Sequence, residues 1–72
     1  MLDVVLDLAL SLKNWEKWSV ETHDPDRFMF CRNKCEMIVK KIRNTLRNVH
    51  GEDYTAALDI LAEEFGTFYY FI

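Results

Sequence analysis

Cys31 and Cys35 are the residues of this sequence whose type and spacing come closest to a chemical site. A separation of four sets both thiols on one face of a helix. Their Cα atoms then lie about 6 Å apart with nearly parallel Cβ directions, a poor geometry for a disulfide. Two thiols alone leave a zinc site incomplete. His23 or His50 would have to join them from the ends of segments, and the paired spacings of zinc motifs are missing. The spacing predicts reduced thiols packed in a core, with no metal and no cofactor.

His23-Asp24 has the residue types of a paired metal site in phosphohydrolases, but such a site needs further histidines on other helices and only His50 remains. Asp24-Pro25-Asp26 is better read as a helix start. Asp24 caps, Pro25 suits the first helical position, and Asp26 favours the positive helix end. Glu63 and Glu64 are adjacent on a helix surface, point in different directions and do not form an acid/base pair. The sequence carries no nucleophile elbow, P-loop or dinucleotide fingerprint. Gly51 and Gly66 are too far apart to cradle a phosphate, and so small a bundle lacks room for a substrate pocket of several hundred Å³. The expectation is a protein that is not an enzyme.

The elements that carry these residues are helical. The chain has 72 residues, half of them hydrophobic, with two glycines and one proline. That is too apolar for disorder and favours long regular elements. It is also short enough that a monomer is marginal and self-association would help it. Residues 1–72 read as one domain: an all-α, three-helix antiparallel (up-down-up) bundle that self-associates, with helices over about 2–20, 25–49 and 52–70. Leu2, Val5, Leu8, Ala9, Leu12 and Trp15 share one side of the first helix, flanked by Val4, Leu6 and Leu10. Such a wide apolar arc needs more than one neighbour. Phe28, Cys31, Cys35, Ile38, Ile42 and Val49 form a near-heptad seam on the second, which His50-Gly51 ends with a left-handed cap. Tyr54, Ala57, Leu58, Leu61, Phe65, Phe68 and Ile72 keep one face on the third. Gly66 weakens the helix there. The alternative for residues 67–72 is a short strand, and the register of Phe68 and Ile72 favours the helix.

Charge is sorted by helix. Residues 27–49 hold seven Lys or Arg against Glu36 alone, a local +6, whereas residues 50–72 hold five acids and no base and residues 1–26 carry −4, so the whole is −3. A basic helix between two acidic ones selects the up-down-up order over alternatives, although each exposed pair contributes only about 0–1 kcal/mol. Arg32, Lys40, Arg43 and Arg47 also form a stripe that could contact phosphates. No helix-turn-helix or other nucleic-acid motif accompanies it.

The residues that break the pattern point to contact surfaces. Trp18 sits on the wet stripe of the first helix. Phe30 and Met37 line up with Lys34 and Lys41, off the seam of the second. Five aromatics fall within Phe65–Ile72, and Phe68, Tyr69, Tyr70, Phe71 and Ile72 read as a self-association or partner dock. Aromatics and Met are enriched at interfaces. The functional expectation is a protein-protein interaction module acting sterically, as a small regulator or inhibitor of a larger protein. Its size and acid balance are like those of small viral or plasmid-borne regulators. The alternatives are a dimeric nucleic-acid-binding regulator using the basic face of the second helix, and a structural subunit of a larger assembly. No apolar run reaches the roughly 18–20 residues of a membrane span, and the start lacks a basic signal-peptide region. The expected setting is cytoplasmic, in a host's cytoplasm if the protein is viral.

Overall fold

In the computed structural model, which describes residues 2–72, the chain forms three α-helices. They are α1 (Leu2–Glu21), α2 (Pro25–Arg47) and α3 (Glu52–Phe65), followed by a 3-10 turn at Tyr69–Phe71. There is no strand among the described residues. The helices pack as a bundle, and the molecule is elongated, 43 × 19 × 19 Å.

α2 starts as its sequence requires. Asp24 has extended backbone and its carboxylate accepts from the Asp26 N–H at 2.9 Å, with Pro25 at the first helical position. α2 ends at Arg47, two residues before the expected boundary, where the Asn48 and Val49 N–H groups donate to the Thr45 and Leu46 carbonyls at 3.0 and 3.3 Å. Gly51 has a positive φ of 64°, as glycine permits, but with ψ −135° it opens α3 instead of closing α2. Its carbonyl accepts from the Tyr54 N–H at 3.2 Å.

α3 stops at Phe65 and does not continue to residue 70. Gly66 adopts the left-handed conformation (φ 78°, ψ −9°) and its N–H donates to the Ala62 carbonyl at 2.7 Å. This glycine cap reverses the chain. Residues 67–72 are therefore neither a helical extension nor a strand. They fold back beside α2, where Tyr70 meets Arg43 and Phe71 sits among Arg43, Leu46 and Tyr54.

The core consists of Val5, Ala9 and Leu12 of α1, Cys35, Ile38, Val39, Ile42 and Leu46 of α2, Ala57 and Leu61 of α3, and Phe71. Cys31 and Cys35 are buried, free thiols. Four expectations about faces need correction. Phe71 is 2% exposed and is a core residue, not part of a dock. Ile72, expected on the core face, is exposed because the reversal at Gly66 takes it out of helical register. Ile60, which helical spacing sets on the side of α3 that carries its acidic residues, packs against the core. Phe28, expected in the seam, is exposed because α3 does not extend to cover the start of α2.

Candidate functional site

α1 and α2 are joined by three residues, Thr22–Asp24, and pack on each other as a pair with two unlike sides. One side is covered. Lys13 of α1 donates to Glu64 near the end of α3 at 2.9 Å, and Arg43 of α2 donates to the Tyr70 carbonyl at 2.8 Å. α3 and the C-terminal turn therefore lie against Lys13 on α1 and Arg43 on α2.

The other side has no helix over it. Along α1, Val4, Leu8, Ser11, Trp15 and Trp18 recur at spacings of four and three. Along α2, Phe30, Lys34, Met37 and Lys41 do the same. Aromatic contacts join the two rows. Trp15 lies edge-on to Trp18 with ring centroids 4.9 Å apart, and edge-on to Phe30 at 5.7 Å. The Lys34 ammonium stands 5.4 Å from the centre of the Phe30 ring. This T-shaped and cation–π packing holds the rings in place without burying them: Trp18 is 47%, Phe30 53% and Met37 51% exposed. Beside them is a shallow open depression of about 480 Å³ lined by Trp18, Glu21, Thr22, Arg27, Phe30 and Cys31.

The α1–α2 pair also outreaches α3. α1 continues from Lys13, level with the end of α3, to Glu21, a projection of about 12 Å at 1.5 Å per residue. On this tip Val20, Phe28 and Met29 are exposed. Phe30, Lys34, Met37 and Lys41 lie in one row on α2, the packing of α1 on α2 adds Trp18 to the same face, and Phe28, Met29 and Val20 extend the apolar surface beyond it. Their signal was the shortness of α3 relative to α2, which becomes visible only once Gly66 is known to end α3.

The C-terminal group divides. Tyr69, Tyr70 and Ile72 are exposed, Phe68 is half-buried against the core, and Phe71 is buried. Arg32, Lys40, Arg43 and Arg47 are all exposed on α2, but Arg43 is drawn to the Tyr70 carbonyl and lies 5.9 Å from its ring. The two ion pairs among the described residues are Lys13–Glu64 and, at 3.9 Å, Arg27–Asp24. Neither joins α2 to another helix, so the positive charge of α2 is not neutralised by contacts to the acidic helices. Burial pushes the Cys35 thiol above its ordinary pKa, opposed by nearby Arg32 and reinforced by Glu16 and Cys31. Among the described residues no group of three or more His, Cys, Asp or Glu is arranged to hold a metal ion. Among the described residues no helix is long and apolar enough to cross a membrane.

Comparison of the chain with protein-family models, curated proteins and solved structures found no match.

Proposed function

We propose that this chain is a non-enzymatic protein-interaction module, an up-down-up antiparallel bundle that acts sterically as a small regulator or inhibitor of a larger protein. The stacking of Trp15, late in α1, on Phe30, early in α2, supports the antiparallel hairpin. The Lys13–Glu64 bridge, late in both α1 and α3, supports the third leg. One observation carries the functional reading: α3 and the C-terminal turn cover one side of the hairpin and leave Trp18, Phe30 and Met37 on the other. A contiguous apolar face of this kind marks a partner site. Buried aromatic anchors carry most of the energy in such contacts, about 1–3 kcal/mol for each one truncated. The two buried, free thiols suit a reducing setting, and the proposed location is the cytoplasm.

The test is a photo-crosslinking residue at position 30, with the same residue at exposed Asp59 on α3 as control. The expected result is a discrete crosslinked protein species from position 30 and none from position 59. Silence at both positions ends this reading.

A second reading, contact with nucleic acid, draws on the α2 cations that no acid neutralises. Duplex affinity that falls steeply between 50 and 200 mM salt and is lost in Arg32→Ala/Arg47→Ala supports it. No binding at low salt removes it.

A further inference from the structure

We infer that the uncovered α1–α2 face is occupied by a second copy of this chain, related by a two-fold axis parallel to the hairpin. This rests on the reading of that face as a protein-contact surface, and names the occupant. The two helices carry complementary rows of charge. On α1, Asp7, Asn14 and Glu21 recur at a spacing of seven along the outer edge of the face, beside Ser11 and Trp18. On α2, Arg27, Lys34 and Lys41 recur at the same spacing, interleaved with Phe30 and Met37.

The Trp15–Phe30 contact sets Asp7, Asn14 and Glu21 within about one helical turn, roughly 4.5 Å along the axis, of Lys41, Lys34 and Arg27. Within one chain these partners lie on opposite helices and form no ion pair. A two-fold axis along the hairpin keeps every level and exchanges the helices, so α1 of one copy opposes α2 of the other. Each acidic or amide residue then comes within about a turn of a basic one across the interface, within reach of a long Lys or Arg side chain. A two-fold axis across the hairpin would oppose α1 to α1 and α2 to α2, setting like charges together. An acidic edge on one side and a basic edge on the other is the pattern of a self-complementary, isologous surface.

The area agrees. Helices of about 20 residues are about 30 Å long, and two packed 8–10 Å apart present a face about 20 Å wide. Two such faces bury about 1,200 Å² together, at the lower end of specific interfaces. Met37 falls near the middle of it and Trp18 and Phe30 toward its tip end, while Val20, Phe28 and Met29 lie outside it on the other side of the tip, free for a different protein.

The test is sedimentation of the intact chain from micromolar to hundred-micromolar concentration, with circular dichroism to confirm that each variant is folded. The wild type is expected to dimerise. Phe30→Glu, at a half-exposed position, is expected to stay folded and to weaken the dimer by about tenfold or more. Asp7→Lys and Lys41→Asp should each weaken it, and the two combined in one chain should restore it. A dimer indifferent to Phe30→Glu, or a charge swap that adds its losses instead of recovering them, overturns the assignment. A monomer at every concentration also overturns it. If position 30 then still crosslinks to a larger protein, the face remains a partner site and only its occupant was wrong. If it crosslinks to nothing, both readings fall.

Discussion

Arg43 donates a 2.8 Å hydrogen bond to the carbonyl of Tyr70, and the ring that follows, Phe71, is 2% exposed and 5.3 Å from the ring of Phe65. The clamp and the plug act together. Arg43 fixes the backbone of the reversed C-terminal segment, and Phe71 is buried in the same core cluster as Leu46, with Tyr54 packed against it. Truncating a buried Phe to Ala costs about 3–5 kcal/mol, a large share of what a domain this small possesses. Phe71→Ala should therefore lower the urea midpoint severely or unfold the chain. Arg43→Ala, which removes one exposed hydrogen bond, should cost about 0.5–1.5 kcal/mol. A Phe71→Ala protein as stable as the wild type would mean that the segment is not docked.

The sequence reading failed over this same segment. Helical periodicity continued past Gly66 sets Ile72 on the α3 core face and Phe71 among the acids opposite, whereas Ile72 is exposed and Phe71 buried; Phe68 alone packs against the core as its spacing implied. Helical spacing is informative only while the helix lasts, and Gly66 ends it. By contrast Asp24-Pro25 located the α2 start to the residue, because a cap is a local interaction of adjacent groups. Cys31, Cys35, Ile38 and Ile42 were found buried because the α2 periodicity holds across them, and Val49 is buried although α2 ends two residues before it. Trp18, Phe30 and Met37 were legible as pattern breakers. Phe28 was not, because its exposure depends on the length of a different helix. Sorting of charge by helix was legible, but its use was not: α2 forms no ion pair with its neighbours.

Gly66 can be tested without touching any contact. A Cβ at that position meets nothing within 4 Å, so the cost of Gly66→Ala is conformational alone. An L-residue in the left-handed region pays roughly 1–2 kcal/mol, and Asn tolerates it better. Chemical denaturation should rank the wild type above Gly66→Asn and Gly66→Asn above Gly66→Ala. Equal stability for all three would show that the chain does not turn there through a left-handed residue.

Cys35 gives a pH dependence. Its thiol is pushed above the ordinary value of 9.0, first by burial, with Arg32 opposing and Glu16 and Cys31 adding to the rise. The unfolded chain therefore releases this proton at a lower pH than the folded chain. The contribution is fully present below about pH 9 and is lost as pH rises through the folded value. The urea midpoint should fall more steeply above pH 9 in the wild type than in Cys35→Ala, and the thiol should resist alkylation until the chain opens. Parallel pH profiles would mean that Cys35 is more solvated than its 3% exposure indicates.

Met37 and Phe28 separate residues held for contact from residues held for folding. Both are large and apolar, both fall within the long α2 helix, and they are 51% and 43% exposed. If neither is needed to close the core, replacing each by Lys changes stability by no more than about 0.5 kcal/mol, as at other surface positions. Lys is also a better helix former than Phe, so Phe28→Lys could gain slightly. The same substitutions bury a charge wherever a partner seats on the surface, and should weaken that contact well beyond any effect on folding. Denaturation midpoints measured beside dimer affinity and crosslinking yield make the distinction. Met37→Lys should retain its midpoint and lose the dimer, whereas Phe28→Lys, outside the two-fold face, should retain both. A loss of more than about 2 kcal/mol of stability in either variant would return that residue to the core and shrink the contact surface accordingly.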